Sequence, residues 1–68
     1  MDGKLLSLSA MEQILKKAGA SRVSEDAKAS LREVLEEYGV QIAEDAARFA
    51  KHSGRKTVKA SDVKLAFR

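Results

Sequence analysis

The chain has 68 residues, of which 44% are hydrophobic, and a formal net charge of +3. A domain of this length normally needs a disulfide, a metal or a partner chain to be stable. The sequence has no cysteine and a single histidine, His52, which excludes disulfides and leaves no cluster of zinc ligands. No apolar run approaches the roughly 20 residues of a membrane span. We therefore expect a partner chain, no cofactor, no metal and no membrane partner.

The charges are unevenly distributed along the chain. Residues 24–47 carry two basic and seven acidic side chains, whereas residues 48–68 carry seven basic and one acidic side chain. Such an asymmetry is typical of a protein that binds a polyanion. The acidic residues of the middle segment are predicted to form a solvated face: Glu33, Glu36, Glu37, Glu44 and Asp45.

The first predicted helix is Ser9–Ala18, which has an apolar face of helical period. Either Ser7 or Ser9 is expected to cap it, because a serine hydroxyl accepts a hydrogen bond from a free N–H of the first turn. Gly19 then stands where helices commonly end in a left-handed conformation. Residues 20–23 are predicted to form a loop.

The second predicted helix is long. Ser24 is its expected cap, and nothing interrupts its apolar stripe before Gly54, so the helix is predicted over Ser24–His52, or 29 residues. The stripe consists of Ala27, Leu31, Val34, Leu35, Tyr38, Ile42, Ala46, Phe49 and Ala50.

A helix of this length predicts a dimer. It is about 43 Å long, whereas a compact domain of this size is only about 28 Å across. Part of the stripe must therefore be covered by something else, most simply by a second copy whose long helix crosses this one. Gly39, near the middle, is expected at the crossing, because a residue without a side chain lets two backbones approach closely. The alternative is a tolerated surface glycine.

A short third helix completes an all-α chain. Residues 55–59 are predicted as an extended loop, and the helix is predicted to begin near Ala60 and to include Phe67. We expect a single domain over residues 6–68, preceded by a loose segment at residues 1–5.

Three stretches of the sequence resemble the archaeal histones. They are GASRVSEDA at residues 19–27, LEEY at 35–38 and AKHSGRKTVKASDV at 50–63. The resemblance implies the histone fold, in which two chains form an intertwined "handshake" homodimer, and dimers that stack through four-helix bundles into a nucleosome-like or extended spool. The implied function is sequence-independent binding, wrapping and compaction of double-stranded DNA in the chromatin of a cytoplasmic nucleoid. A paralogous histone is a further possible partner.

In the histone fold, the first loop of one chain lies beside the second loop of its partner. The resemblance therefore implies a DNA-binding set drawn from both loops and from the end of the first helix: Arg22, Arg55, Lys56, Thr57, Lys16 and Lys59. Arg22 is the candidate for insertion into the minor groove, as in the nucleosome. Two members have alternative roles, since Lys16 also offsets the helix dipole and Arg55 can form a structural ion pair with Asp62.

The resemblance also implies a dimer–dimer contact made by Phe49, His52 and Asp62. Asp62 would then pair with Arg55 and also accept a hydrogen bond from the His52 of an opposing dimer. The sequence does not show which of the two interactions is stronger. Ordinary core packing is the alternative for Phe49. Gln13 stands where similar proteins often carry a basic residue, which weakens the expected phosphate contact there.

Other functions are less compatible with the sequence. A histone-fold assembly subunit that mainly pairs with another protein is the alternative function, although it has no need of the basic loop residues. Catalysis is not expected, because His52 has no neighbouring nucleophile in a recognisable motif. Base-specific readout is not expected either, because the basic residues are predicted on loops and the chain has only three aromatic residues.

Overall fold

Residues 5–67 are described by the structure, a computed structural model. The secondary structure of this range consists of α1 (Leu8–Lys17), α2 (Glu25–His52) and α3 (Ala60–Phe67), without a strand. The predicted all-α class and the short–long–short order are thus confirmed. None of these three helices is long and apolar enough to cross a membrane.

The chain divides into two compact units, Met1–Glu37 and Tyr38–Arg68. The first contains α1 and the start of α2, and the second contains the rest of α2 and α3. The single domain expected over residues 6–68 stays a prediction. Of the loose segment expected at residues 1–5, residues 1–4 lie outside the described range.

Serine side chains cap the first two helices. The Ser7 hydroxyl accepts a hydrogen bond from the Ala10 N–H at 3.0 Å, and the Ser24 hydroxyl accepts one from the Ala27 N–H at 3.1 Å. Each helix begins directly after its cap, so both begin one residue away from the predicted position: α1 earlier, and α2 later. Ser7 is therefore the N-cap of α1, the first of the two predicted candidates.

Glycines end the same two helices. Gly19 has φ 119° and Gly54 has φ 73°, in the region that favours glycine. The residue after each glycine then donates its N–H to a carbonyl of the last helical turn, Ala20 to Leu15 at 3.0 Å and Arg55 to Ala50 at 2.9 Å. Both ends are Schellman motifs. The Schellman motif at Gly54 fixes the backbone of Arg55, and therefore the point from which its side chain extends.

Few apolar side chains within residues 5–67 are buried. Met11 is buried in the first unit, and Ala46 and Ala50 are buried in the second. Among large apolar residues that remain substantially exposed are Ile14, Val34, Tyr38, Val40, Val58, Val63, Leu65 and Phe67. The stripe of α2 is therefore only partly covered by the described chain, since Val34 and Tyr38 belong to it.

Glu36 differs from its predicted place on a solvated face. Its side chain is buried, with an exposed fraction of 9%, and Oε2 accepts the backbone N–H groups of Leu5 and Leu6 at 2.6 and 2.7 Å. These two amides precede α1, where no helical carbonyl can pair with them. The prediction of a solvated Glu36 was wrong because the carboxylate satisfies backbone donors from a distant part of the chain.

Candidate nucleic-acid interface

The second loop, residues 53–59, is held by an ion pair with two hydrogen bonds. Arg55 Nη1 and Nη2 donate to Asp62 Oδ2 and Oδ1, each at 2.9 Å. Nη1 also donates to the Thr57 carbonyl at 2.9 Å, and Asp62 Oδ2 accepts the Lys59 N–H at 2.8 Å. Two parallel N–H···O bonds fix the guanidinium plane against the carboxylate. The Arg55–Asp62 pair thus connects the beginning of the loop to the first turn of α3.

Asp62 is strongly favoured in its ionised form. The hydrogen bonds from Arg55, and then the one from the Lys59 N–H, lower the pKa of Asp62 from 3.8 to about 2. The residue is buried, with an exposed fraction of 5%. Both of its oxygens are engaged within the chain, so a contact with the His52 of another dimer would have to be made in addition to these bonds.

Arg55 and its neighbours in the loop differ in how they face solvent. Three of the five N–H donors of the guanidinium are used within the chain, two on the Asp62 carboxylate and one on the Thr57 carbonyl, and the Arg55 side chain is half-buried. Lys56, Thr57 and Lys59 are exposed. Arg55 therefore holds the loop, whereas the side chains of Lys56, Thr57 and Lys59 are accessible to solvent.

The first loop, residues 18–24, carries Arg22, which is exposed. Lys16, in the last turn of α1, forms an ion pair with Glu12 at 3.1 Å. Both basic residues lie in the unit Met1–Glu37, whereas the second loop lies in Tyr38–Arg68. The joint DNA-binding set of both loops therefore stays a prediction.

The Glu12–Lys16 pair belongs to a network that the sequence pattern did not predict. Lys28 lies between two carboxylates, with Nζ at 3.2 Å from Glu12 Oε1 and 2.7 Å from Glu25 Oε2. The hydrogen bonds of Lys16 and then of Lys28 lower the pKa of Glu12. The spacings of Glu12 to Lys16 and of Glu25 to Lys28 are those of helical ion pairs and were available from the sequence. The contact between α1 and Lys28 was not.

A groove of about 450 Å³ lies beside the second loop. Its walls combine small apolar side chains with basic ones: Ala47, Ala50 and Val58 with Arg48, Lys51, Arg55 and Lys56, together with Glu44. All of these residues belong to the unit Tyr38–Arg68.

The residues predicted to contact other chains are Gly39, Phe49 and His52. A Cβ added to Gly39 would meet nothing within 4 Å. Phe49 is half-buried and His52 is exposed. Their contacts require a second chain, so these roles stay predictions. Among residues 5–67, no group of three His, Cys, Asp or Glu side chains could hold a metal ion.

Comparison with known proteins gives a consistent result. Residues 5–67 match the family described as histone-like transcription factor (CBF/NF-Y) and archaeal histone. The chain is 52% identical over 61 residues to one of the subunits of the archaeal histone HAN1 from Thermococcus zilligii, covering 90% of this chain and 91% of that protein. It is 55% identical over 56 residues to probable archaeal histone 3 of Methanocaldococcus jannaschii, covering 82% and 84%.

Proposed function

Since the chain belongs to the family of histone-like transcription factors and archaeal histones, we propose that it wraps and compacts double-stranded DNA without sequence preference. Membership makes it a DNA-binding chromosomal protein with the histone fold, and not an enzyme. The observation that carries the wrapping proposal is the second loop, where the Arg55–Asp62 pair leaves Lys56 and Thr57 exposed.

These loop residues suit the phosphate backbone. A lysine ammonium and a threonine hydroxyl donate hydrogen bonds to phosphate oxygens, which fix a protein on DNA but carry no sequence information. Lys59 adds positive charge to the same loop, and Arg22 provides a side chain that enters a narrow minor groove. Arg55 contributes mainly by positioning this loop, with its remaining N–H donors available to DNA.

The working unit is the handshake homodimer. The described chain leaves large apolar residues exposed on all three helices, among them Ile14, Val34 and Phe67. Exposed apolar surface of this extent indicates a protein interface. A second copy would cover it, with the two α2 helices crossing at Gly39.

The groove beside the second loop supports a binding ridge shared by two chains. Its apolar walls, which include Ala47 and Val58, are open in the single chain. The first loop of a partner chain would pack there and bring its own Arg22 next to Lys56 and Thr57. Each dimer would then present two such ridges to DNA.

Assembly beyond the dimer is part of the proposal. Phe49, His52 and Asp62 would form a dimer–dimer contact that stacks dimers into a spool on the nucleoid. A paralogous histone could replace one of the two copies, and the relative from Thermococcus zilligii, which is named as a subunit, makes this partner worth testing.

Nuclease digestion of complexes on random-sequence DNA tests this function. We expect protected fragments of increasing length at about 50 mM salt, and weaker protection as salt rises, because phosphate-bound proteins release counterions. A ladder that grows by a constant step would support stacking. A single fragment size would instead mean a closed particle. Absence of protection even at this low salt would contradict DNA wrapping and favour the alternative, a histone-fold protein that mainly pairs with another protein.

Variants of the two loops test the binding mode in the same assay. Arg22→Ala and Lys56→Ala should each weaken binding similarly on all sequences and make the salt dependence shallower, by about 0.9 in slope for every phosphate that is no longer neutralised. Arg32→Ala is the matched control for Arg22, because it removes the same charge from α2 in the same unit. Losses confined to particular sequences would mean base readout and would contradict the proposed mode.

A further inference from the structure

The proposed function leaves one charged cluster without a role. Glu12, Lys16, Glu25 and Lys28 form a continuous network in the unit Met1–Glu37. It contains two positive and two negative side chains and is neutral as a whole. One of its members, Lys16, is also a candidate DNA ligand. DNA would therefore meet a lysine that already has a partner.

Glu12 is held in place independently of Lys16. Its Oε1 lies 3.2 Å from Lys28 Nζ, and Lys28 is held in turn by Glu25 at 2.7 Å. The Lys28 side chain is only 12% exposed, whereas that of Lys16 is 53% exposed. If Lys16 turned towards a phosphate, the Glu12 carboxylate would stay behind. The hydrogen bonds of Lys16 and then of Lys28 also lower the pKa of Glu12, which favours its ionised form.

We infer that Glu12 limits the affinity of the chain for DNA by competing with phosphate for Lys16. This inference rests on the proposed function. A fixed carboxylate between α1 and α2 neutralises the basic residue at the end of α1 and repels an approaching phosphate. The neighbouring Gln13 brings no charge to replace it. DNA binding therefore depends on the two loops, and α1 contributes only when phosphate displaces Glu12 from Lys16.

The competing explanation is that the network only orients α1 against the start of α2. In that case Lys16 would not face DNA, and removal of the Glu12 charge would change stability but not binding. A general effect of net charge is a second explanation, because the loss of any negative charge favours binding to a polyanion. Each explanation leads to a different result in the following experiment.

The test uses Glu12→Gln, which keeps the shape of the side chain and leaves Glu25 to hold Lys28. Affinity for random-sequence duplex DNA should rise about 2- to 30-fold, as expected for two surface ion pairs released per dimer. The slope of log K against log salt should steepen by about 1 to 2, because one further phosphate is neutralised by each copy of the chain. Glu33→Gln is the control: it makes the same charge change in the same unit, at an exposed residue that forms no ion pair with residues 5–67.

Lys16→Gln shows whether Glu12 acts through Lys16. Alone, it should lower affinity less than Lys59→Gln does, because Lys16 is already paired with Glu12, and in the Glu12→Gln background it should abolish the gain. An equal gain in Glu12→Gln and Glu33→Gln, or a gain that persists without Lys16, would overturn the inference. If thermal unfolding shows that Glu12→Gln does not fold, Lys16→Gln alone provides the test. A loss of DNA affinity as large as that of Lys59→Gln would mean that Glu12 does not keep Lys16 from binding phosphate.

The proposed function and the role of Glu12 can fail separately. A wild-type chain that binds no DNA at about 50 mM salt contradicts the proposed function. A wild-type chain that binds DNA while Glu12→Gln behaves like Glu33→Gln contradicts only the role of Glu12.

Discussion

At the scale of single residues, two buried carboxylates hold the fold together, one through neighbours in the chain and the other through distant residues. Asp62 accepts charged and backbone donors seven and three residues away in the chain, whereas Glu36 accepts backbone donors about thirty residues away. Both satisfy N–H groups that would otherwise lack a partner at the start of a helix or in a loop. A buried acidic residue in so small a chain is therefore paired, as the cost of burying a charge requires.

The low pKa of Asp62 predicts a pH dependence of stability. Its pKa is about 2 in the folded chain and 3.8 as an ordinary value. The carboxylate therefore stabilises the fold fully above about pH 4, and this contribution is lost as the pH falls towards 2. The unfolding midpoint of the wild type should fall over this range, and its advantage over Asp62→Asn should shrink.

Arg55→Gln is the matched control, because it removes the main cause of the pKa shift. Its unfolding midpoint should show less of this pH dependence than the wild type. If Asp62→Asn and the wild type differ by a constant amount from pH 5 to pH 2, the Arg55–Asp62 pair does not stabilise the fold.

At the scale of the elements, the helix boundaries follow from local chemistry. A serine hydroxyl at Ser7 or Ser24 and a glycine at Gly19 or Gly54 act on atoms only a few residues away. The predicted boundaries were correct to within one residue for this reason. The second glycine also has a functional consequence, because its turn brings Arg55 to the position from which it reaches Asp62.

Gly39→Ala tests the proposed crossing of two α2 helices. Helix propensity alone would make the Gly39→Ala variant more stable than the wild type by about 1 kcal/mol, and the single chain has open space for the added methyl group. If two backbones approach each other here, the added methyl group should instead weaken the dimer. Thermal unfolding and sedimentation equilibrium of the variant measure the two effects.

Ser30→Ala, at another exposed position of α2, is the control for helix propensity. A Gly39→Ala chain that is more stable than the wild type and equally dimeric would identify Gly39 as a surface glycine. The crossing would then have to lie elsewhere on the helix.

At the scale of the whole molecule, the exposed apolar residues predict that stability depends on concentration. A partner that binds only folded chains stabilises them by mass action. The unfolding midpoint should therefore rise with protein concentration, and Val34→Ser should lower it. Val40→Ser is the matched control, because Val40 is also exposed but lies outside the predicted stripe. A midpoint independent of concentration would contradict the dimer.

The three helices, the Ser24 cap and the basic loops could be predicted from the sequence, because these features depend on residues close together in the chain; the choice between Ser7 and Ser9 as the first cap could not. The resemblance to the archaeal histones added the prediction of an ion pair between Arg55 and Asp62, which are only seven residues apart in the chain. Which carboxylates are buried, and which carboxylate Lys28 reaches on another helix, became visible only in the folded chain. Glu36 meets Leu5 across 31 residues, and Lys28 meets Glu12 across 16. Such contacts depend on how helices pack, and a pattern of hydrophobic and charged residues does not specify which distant side chains will meet.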